Sequence, residues 1–520
     1  MNLTANGRVE LTTRDVVTFE RCPWAWVNSI AVIQRGHYPP PPLDNTMREL
    51  MAETSHHHRE RVRSYLRTSH GAVGNSEDTP LVDQISQHGS LLDPSWSWED
   101  PHSPFTVTAR MDGLISGDRG AVRMVASKLG HSSMRALLLS SAGALDGLRL
   151  SGIDAESTLE VLFGDGETDL LDLSDSRELW RQTLGQMSKA YQDYREGASY
   201  EWWSSPFDQC GRLSCEWCQD TLSRNDDLFH IARIRRLHRA EIRRRGIQTM
   251  TDFATSTIDE LVEQILTVPG DDLRRLQLQA SLQVLSTHDP DGAPPIQVVD
   301  PGEIAALPHV RDGDLYLDFE SNPGYTEWPP LEDYSPGAVG PSSWLGLEYL
   351  IGVLESSDES YRYWWSDSFS SEEEAFRKFL DEILSRHRHD SHFRVFHYAP
   401  YEIQALRRLT TRHLYGAEAL EELLSGEVFV DLYKVVMRAV AIGTPSYSLK
   451  KLEPLYLPAE SREGISAGAE SVEAFIRYHA LRESEPDTAT AIREDILRYN
   501  RVDCLSTKRL HQWLVGLTLE

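Results

Sequence analysis

Acidic side chains recur at short spacings in the C-terminal part of this chain. Asp318 and Glu320 lie two positions apart in Asp-Leu-Tyr-Leu-Asp-Phe-Glu, and a strand would point both carboxylates to one face. Glu402 follows in His-Tyr-Ala-Pro-Tyr-Glu, and Tyr499 and Asp503 end the series in Tyr-Asn-Arg-Val-Asp. Carboxylates held together repel unless they share a cation, and hard oxygen ligands suit magnesium or manganese. Because paired metal ions commonly serve in-line displacement at phosphorus, the pattern favours a metal-dependent nuclease.

Hydrophobic patterns predict the elements that must position these residues. Strands are predicted at 314–319, 349–354, 361–365 and 394–397, and helices at 371–386, 401–412, 432–441, 472–481, 492–499 and 503–515. Tyr499 and Asp503 are four positions apart, which places them on one face of a helix. Strands followed by interleaved helices indicate a mixed sheet flanked by helices, and therefore an α/β fold.

Length and composition limit the architecture and the class of protein. A chain of 520 residues is too long for one ordinary domain. We expect an N-terminal unit at 1–225, a helical segment at 226–300 and a C-terminal unit at 301–520. No apolar run approaches the roughly 18 residues that suggest a membrane span, and the N-terminus has no signal-peptide core. We therefore expect a cytoplasmic protein. A formal net charge of −28 argues against a protein that coats nucleic acid without specificity.

The helical segment contains a local basic patch within this acidic chain. Arginines are concentrated between residues 233 and 245, at Arg233, Arg235, Arg236, Arg239, Arg243, Arg244 and Arg245. The patch is either a nucleic-acid-binding surface or an ordinary solvated helix face. A helix stop near Gly246 and a new helix after it resemble a helix–hairpin–helix element, which binds backbone phosphates through loop amides.

Four of the five cysteines form a pattern of their own. Cys22 stands alone near the N-terminus, whereas Cys210, Cys215 and Cys218 are spaced Cys-x4-Cys-x2-Cys. A disulfide framework is not expected in a long intracellular chain. Four thiolates can bind a tetrahedral zinc ion or an iron–sulfur cluster, and their spacing alone does not separate these two.

The ordered acidic motifs resemble the exonuclease branch of the ribonuclease H-like superfamily, in which four acidic residues and a tyrosine form the site (the DEDDy type). This resemblance implies that Asp318, Glu320 and Asp503 hold two Mg²⁺ or Mn²⁺ ions. It also implies that Glu402 binds one ion through water, and that Tyr499 orients the attacking water. The family has an aspartate where this chain has Glu402, and Asp431 is the substitute candidate for that position.

The cysteines and the N-terminal unit resemble iron–sulfur nucleases of the RecB-like superfamily (the PD-(D/E)xK type), which have a restriction-endonuclease-type fold. The resemblance implies that Cys22, Cys210, Cys215 and Cys218 bind a four-iron cluster (4Fe-4S), with Zn²⁺ as the alternative. It assigns a nuclease site to His58, with His56 and His57 as ambiguous neighbours, and to Asp112 and Lys128. Strands at 105–112 and 120–128 are expected to pair and carry the last two.

Two departures from the RecB-like pattern affect that first site. Ala126 stands where an acidic residue is expected, and residues 135–143 lack the expected glutamine and tyrosine. A single aspartate holds a divalent ion poorly, so we expect a degenerate nuclease that serves DNA binding or shape. The whole chain then resembles bacterial two-nuclease proteins, some of which carry a helicase.

The leading prediction is therefore a 3′-to-5′ exonuclease that hydrolyses DNA in repair or processing, with RNA still open as a substrate. A helicase is a possible partner in trans, and no membrane partner is expected. The alternative is a non-catalytic nucleic-acid-binding scaffold for a helicase or nuclease. A third interpretation is a redox-sensing DNA binder.

Overall fold

A computed structural model describes residues 2–3, 8–35, 39–40, 46–76, 78–117, 120–198, 202, 210, 215–288, 292–337, 340–341, 343–458 and 464–517. The chain divides into two compact units. Unit 1 consists of Met1–Thr221 and Thr326–Leu345, and unit 2 consists of Leu222–Tyr325 and Gly346–Glu520. The segment 326–345 therefore belongs to unit 1, although unit 2 flanks it on both sides in sequence.

Unit 1 combines two mixed sheets with helices. Its strands are β1 (Asn2–Leu3), β2 (Val9–Thr12), β3 (Val73–Gly74), β4 (Leu91–Leu92), β5 (Ser95–Glu99), β6 (Phe105–Arg110), β7 (Gly113–Ser116), β8 (Val122–Lys128), β9 (Ala155–Phe163) and β10 (Thr168–Asp172). Its helices are α1 (Thr13–Arg21), α2 (Pro23–Arg35), α3 (Thr46–His70), α4 (Leu81–His88), α5 (Met134–Leu150) and α6 (Ser174–Arg195), and α7 (Glu216–Arg224) crosses into unit 2. The sheet orders are β1-β2-β6-β5 and β10-β9-β8-β7-β4-β3.

Helix α5 is predominantly apolar and packs closely because it carries glycines on its buried face. A Cβ atom on Gly143 would lie 2.5 Å from the ring of Trp180, and one on Gly147 would lie 2.4 Å from Trp98. These distances are too short for any side chain, so the glycines allow both indole rings to lie directly against the helix.

The predicted pairing of strands 105–112 and 120–128 is wrong. Strand β6 ends at Arg110 and pairs with β2 and β5, whereas β8 pairs with β7 and β9. The extended run breaks at Met111 and Asp112, and its two halves enter different sheets. Asp112 therefore lies at the junction between the sheets.

Unit 2 contains the remaining elements. Its strands are β11 (Ile296–Val298), β12 (Leu315–Asn322), β13 (Leu347–Glu355), β14 (Tyr361–Trp365), β15 (Val395–His397), β16 (Phe429–Asp431) and β17 (Val440–Ile442). Its helices are α8 (Arg236–Arg244), α9 (Met250–Thr255), α10 (Ile258–Gln264), α11 (Gly270–His288), α12 (Pro301–Ala305), α13 (Phe369–His389), α14 (Tyr401–His413), α15 (Ala417–Ser425), α16 (Leu432–Ala439), α17 (Leu449–Leu452), α18 (Gly468–Leu481) and α19 (Pro486–Gly516).

Strand β12 is the centre of the five-stranded sheet, whose order is β14-β13-β12-β15-β16. It pairs antiparallel with β13 and parallel with β15. Leu315, Leu317 and Phe319 enter a core cluster with residues of α13 and α14, whereas Tyr316 enters another cluster with residues of α16 and α19. Since strand side chains alternate between faces, Asp318 and Glu320 face the same side as Tyr316, towards α19.

The predicted mixed α/β fold is confirmed, with local differences. The two helices predicted at 492–499 and 503–515 are one continuous helix, α19. The helix predicted at 432–441 ends at Ala439 and continues as strand β17. Strand β11 lies at the end of the 226–300 segment, which was expected to be helical, and pairs with β17. Among the described residues, no helix combines the length and apolar composition needed to cross a bilayer.

Candidate functional site

Three carboxylates converge on one side of the central strand of unit 2. Asp318 and Glu320 come from β12, and Asp503 comes from the buried face of α19. One ligand oxygen from each lies within 4.8 Å of the other two. Glu320 and Asp503 are 6% and 7% exposed, so little water screens their charges. A bulge between Glu320 and Ser321 shifts the register of the pairing with β13 directly after the second carboxylate.

The proximity of these carboxylates raises their pKa values. Burial and the charges of Asp503 and Glu320 raise the pKa of Asp318 well above its usual range. Burial and the charge of Asp503 raise the pKa of Glu320 to about 8. The fully ionised cluster is therefore unfavourable without a cation, and a bound cation would offset the repulsion.

Asn500 holds Asp318 in place through a chain of contacts within unit 2. Its Nδ2 atom donates to Asp318 Oδ2 at 2.7 Å, and its Oδ1 atom accepts from the Tyr361 hydroxyl at 2.8 Å. Gly352, which pairs with Asp318 across β12 and β13, leaves the space for this amide. A Cβ atom at Gly352 would lie 1.7 Å from Asn500 Oδ1. Asn500 is completely buried, so its orientation is fixed by these partners.

Glu320 contacts a second buried network that also lies in unit 2. The Tyr349 hydroxyl lies 3.4 Å from Glu320 Oε2 and 2.7 Å from the Ser471 hydroxyl. The Tyr349 ring stacks on Phe475 with centroids 4.1 Å apart, which anchors this phenol on helix α18.

Tyr499 lies one helical turn before Asp503 and faces the same cluster. Lys450 Nζ donates to the Tyr499 hydroxyl at 2.7 Å and also lies 4.7 Å from the ring centroid. Burial and the charge of Asp503 raise the pKa of Tyr499 above its usual value. The phenol therefore stays protonated and can act as a hydrogen-bond donor.

Glu402 opens helix α14 but lies outside the group of three converging carboxylates. It is buried, and His397 Nδ1 lies 3.2 Å from its Oε2 atom and 2.8 Å from the Ala399 carbonyl oxygen. Both neighbours accept hydrogen bonds, so Nδ1 must carry a proton. Burial raises the pKa of Glu402, and the His397 contact opposes that rise. Glu402 still raises the pKa of Asp318 electrostatically, so it belongs to the same acidic environment.

Asp431, the substitute candidate for Glu402, makes structural contacts. Its Oδ1 atom accepts the backbone N–H of Tyr433 at 3.0 Å and caps α16. The same atom accepts the N–H of Ala399 at 3.1 Å and supports that residue in a left-handed conformation with φ of 76°. Asp431 thus stabilises the loop that leads to Glu402.

The donor set of this cluster fits divalent cations that prefer oxygen. Asp318, Glu320 and Asp503 offer carboxylate oxygens only, which is the chemistry that Mg²⁺ and Mn²⁺ favour. Their mutual repulsion in a buried position supplies a physical reason to bind positive charge.

In unit 1, the residues of the first predicted site do not form a metal-ligand group. His58 is buried, its Nε2 atom lies 2.9 Å from the Leu162 carbonyl oxygen, and burial lowers its pKa to about 4. Asp112 Oδ2 accepts from the backbone N–H and hydroxyl of Ser127, while its Oδ1 atom lies 3.3 Å from Arg59 Nε. Burial lowers the pKa of Lys128. Among the described residues, neither His58 nor Asp112 belongs to a group of three converging metal ligands, so the residues do not fit a divalent ion.

The four cysteines of unit 1 come together although almost two hundred residues separate Cys22 from the others. The Sγ atom of Cys218 lies 3.6 Å from that of Cys22 and 3.4 Å from that of Cys210, and Cys215 and Cys22 are 4.0 Å apart. Hydrogen bonding with Cys210 and Cys215 raises the pKa of Cys22. The set offers the four thiolates that zinc and iron–sulfur groups require. The separations are close to the ~3.8 Å edge of a tetrahedron with metal–sulfur bonds of ~2.3 Å.

The arginines of α8 are not equivalent. Arg235, Arg236 and Arg244 are exposed, and Arg243 Nε donates to Gln248 Oε1 at 2.9 Å. Arg239 does not share the predicted basic surface, because it is buried. Its Nε and Nη2 atoms donate to Asp227 at 2.8 and 2.6 Å. This pair fastens α8 to the preceding loop, so Arg239 is structural.

Arg233 and Arg235 line a cavity of about 380 Å³ in unit 2, together with Arg275. This clustering keeps positive charge beside α8 even without Arg239.

Asn500 and Lys450 are site residues that sequence reasoning missed. Asn500 lies between the two motif residues Tyr499 and Asp503, but its amide points to β12 because α19 is continuous. Lys450 lies in Tyr-Ser-Leu-Lys-Lys-Leu-Glu, about fifty residues before Tyr499, and nothing in its spacing from the acidic motifs predicted a contact with the tyrosine.

Comparison with known proteins identifies the class of the C-terminal region. The family model of the RNase_H superfamily matches residues 340–515. This range includes Glu402, Tyr499 and Asp503, whereas Asp318 and Glu320 precede it. The C-terminal region is therefore RNase H-like, which indicates a nuclease-type, phosphodiester-cleaving function.

Two further comparisons do not assign the chain to a class of protein. A solved structure titled "Crystal structure of SSO0001" is 13% identical to the chain, with a TM-score of 0.20, covering 34% of this chain and 74% of that one. No curated protein matches the chain in sequence.

Proposed function

We propose that unit 2 is a metal-dependent exonuclease that removes nucleotides from the 3′ end of DNA, in repair or processing. The convergence of Asp318, Glu320 and Asp503 within 4.8 Å carries this proposal. The RNase H-like character of residues 340–515 supports the reaction class. The polarity and the preference for DNA come from the likeness of the ordered motifs to the DEDDy exonucleases.

In this proposal, Asp318, Glu320 and Asp503 hold two Mg²⁺ or Mn²⁺ ions, and Glu402 contributes through water. When bound, such ions lower the pKa of water and stabilise the charge that develops on the phosphate. Asn500 keeps one oxygen of Asp318 occupied and thereby fixes which oxygen faces the ions.

Tyr499 serves as a donor that orients the attacking water. Its raised pKa keeps the proton on the hydroxyl, and Lys450 donates a hydrogen bond to the hydroxyl oxygen. Lys450 also places a positive charge beside the cluster, where it lowers the pKa values of Asp318 and Glu320.

For the rest of the chain, we propose the organisation expected from the sequence. Residues 1–225 form a degenerate RecB-like domain with a cysteine-bound 4Fe-4S cluster or zinc ion. Residues 226–300, expected to be a helical linker, form the mostly helical part of unit 2, and 301–520 form the exonuclease domain except for 326–345, which belong to unit 1. The engaged oxygens of Asp112 support the loss of cleavage at the first site. The exposed Arg235, Arg236 and Arg244, with Arg243, contribute to nucleic-acid binding.

The test is degradation of an end-labelled DNA strand by the full-length protein with magnesium or manganese. The Asp318→Asn variant should lose at least about 100-fold in rate, because it removes a carboxylate of the ion-binding cluster. Asp495→Asn is the matched control, since Asp495 lies on the same helix as Asp503 and makes only a solvent-exposed ion pair, with Arg498 at 2.9 Å. Labels at the 5′ and 3′ ends distinguish the polarity. Wild-type cleavage that persists in Asp318→Asn would contradict the assignment.

A second candidate function is a non-catalytic nucleic-acid-binding scaffold for a helicase or nuclease partner. The contact between Glu402 and His397 favours it, because a carboxylate engaged by a histidine is less available to an ion. If the wild-type protein binds the strand and leaves it intact with magnesium and with manganese, the scaffold becomes the better account.

A further inference from the structure

Unit 1 contains a basic cavity at the place where the sequence suggested a degenerate nuclease site. The cavity has a volume of about 570 Å³ and is lined by Asp112 and Ala126, among other residues. Four arginines also line it, against two aspartates, in a chain with a net charge of −28. This volume falls within the range of small-molecule sites, so a nucleotide-sized group can enter.

Two aspartates on the cavity wall hold three of the arginines in place. Asp93 and Glu60 both bind Arg63, and Arg110 lies 3.8 Å from the Asp93 carboxylate. Arg59 lies 3.3 Å from Asp112, whose other oxygen is occupied by Ser127. Each guanidinium has five N–H donors in a fixed plane, and these carboxylates use only part of them. The remaining donors are positioned before any ligand arrives.

Arg14 supplies the fourth positive charge, from the first turn of α1. It is exposed, and within the described part of the chain no ion pair involves it. Its charge is therefore available to a ligand without the loss of an internal contact.

A buried hydroxyl gives an independent indication that a polar ligand belongs here. Ser141 lines the cavity from α5 and is 1% exposed, yet its Oγ atom has no hydrogen-bond partner among the described residues. A buried hydroxyl without a partner costs free energy, and native proteins rarely leave one unsatisfied. An oxygen-rich ligand in the cavity would provide the missing acceptor.

The same features that favour an anion exclude cleavage by a bound cation. Ala126 stands where the RecB-like pattern has an acid, and Asp112 has both oxygens engaged. The side chains that line the cavity therefore carry net positive charge, whereas the ligands of a metal site carry net negative charge.

We propose that this cavity binds a phosphate group of a nucleic-acid strand without hydrolysing it. Arginine forks match phosphate oxygens, and the unpartnered Ser141 hydroxyl donates to one of them. Unit 1 then contributes affinity for the strand that unit 2 is proposed to degrade, so the inference rests on the proposed nucleic-acid substrate.

The experiment measures binding of a fluorescein-labelled DNA strand of about 15 nucleotides to the full-length protein. Fluorescence anisotropy in EDTA prevents hydrolysis during the measurement. Arg14→Gln should weaken binding about 5- to 10-fold and reduce the slope of log K against log salt by about one. Ser141→Ala should weaken it about fivefold, because a hydrogen bond to a charged oxygen is lost. Arg67→Gln is the control, since Arg67 is exposed on the same helix as Arg59 and Arg63 but does not line the cavity.

The outcomes separate this inference from the proposed function. Losses in Arg14→Gln and Ser141→Ala, with Arg67→Gln unchanged, support the cavity. If the wild type binds and all three variants match it, the inference is overturned while a nuclease remains tenable. A wild type that does not bind in EDTA also overturns the inference, whereas the proposed nuclease is judged separately by cleavage with manganese. Strands with a 5′-phosphate and with a 5′-hydroxyl distinguish the source: losses confined to the former assign a terminal phosphate, and equal losses assign a backbone phosphate.

Discussion

Replacing Asp503 with asparagine should stabilise the metal-free protein while it abolishes metal binding. The ligand oxygens of Asp318, Glu320 and Asp503 lie within 4.8 Å of one another. At an effective dielectric constant of about 20, two unit charges at that distance repel by about 3 kcal/mol. Partial protonation lessens this at neutral pH, because the pKa of Glu320 is raised to about 8. We therefore expect a gain of about 1–3 kcal/mol in the free energy of unfolding.

Differential scanning calorimetry with EDTA and with manganese would measure this effect. In EDTA, the Asp503→Asn variant should unfold roughly 2–12 °C above the wild type, given about 2–4 °C per kcal/mol for domains of this size class. Manganese should reverse the order, because an ion that binds only the folded wild type raises its unfolding temperature. Asp495→Asn, on the exposed face of the same helix, should change little in either buffer.

Two results would refute this reasoning. One is an Asp503→Asn variant that unfolds below the wild type in EDTA, since the carboxylates would then not repel. The other is an equal rise of both proteins in manganese, since the ion would then bind elsewhere.

Three further predictions follow from other contacts. Asn500→Ala removes the hydrogen bond to Asp318 Oδ2, and Gly352→Ala displaces the Asn500 side-chain amide. Both should raise the manganese concentration for half-maximal cleavage about 10- to 100-fold. Unchanged manganese dependence would show that this amide does not orient the carboxylates. Burial lowers the pKa of His511 to about 4, so between pH 6.5 and 4 the unfolded state binds more protons than the folded state. The free energy of unfolding should therefore decrease by up to about 3 kcal/mol as the pH falls through this range. His511→Gln should flatten that acid limb in urea unfolding curves, and an unaltered limb would assign the loss to other groups. Cys218→Ser should lower both the metal content and the unfolding temperature. In the wild type, visible absorbance together with iron identifies a cluster, and one zinc ion per chain identifies the alternative. Full metal content in the variant would contradict a four-thiolate site.

The sequence pattern was sufficient to predict which site residues share a face of a single strand or helix. The alternation of β12 puts Asp318 and Glu320 on one face, and four-residue spacing does the same for Tyr499 and Asp503 on α19. The approach of α19 to β12 depends on tertiary packing. The order of the motifs suggested this approach through its family resemblance, whereas the spacing of the residues did not. The role of Asn500 was not predicted, because its amide reaches Asp318 only through the space that Gly352 leaves on β13.

Other features could not be predicted because nonlocal partners decide them. Val440, Ala441 and Ile442 continue a helical pattern, yet they form β17 because β11 is available to pair with them. Arg239 looked like its neighbours in sequence, and only the buried Asp227 separates it from the exposed arginines. The 105–112 run likewise reads as one strand, but it ends at Arg110 in one sheet, and β7, which follows Asp112, joins the other sheet.

The division of the chain into units has a consequence for anyone who wishes to dissect it. Unit 1 closes at Thr221, resumes at Thr326 and ends at Leu345, so the backbone passes three times between the units. A protease nick at one passage would cut the chain in two, and the fragments would then stay together only through noncovalent packing within the units. Neither unit can be excised as one continuous segment, and expression of unit 2 alone would require 326–345 to be replaced by a short artificial turn that joins β12 to β13.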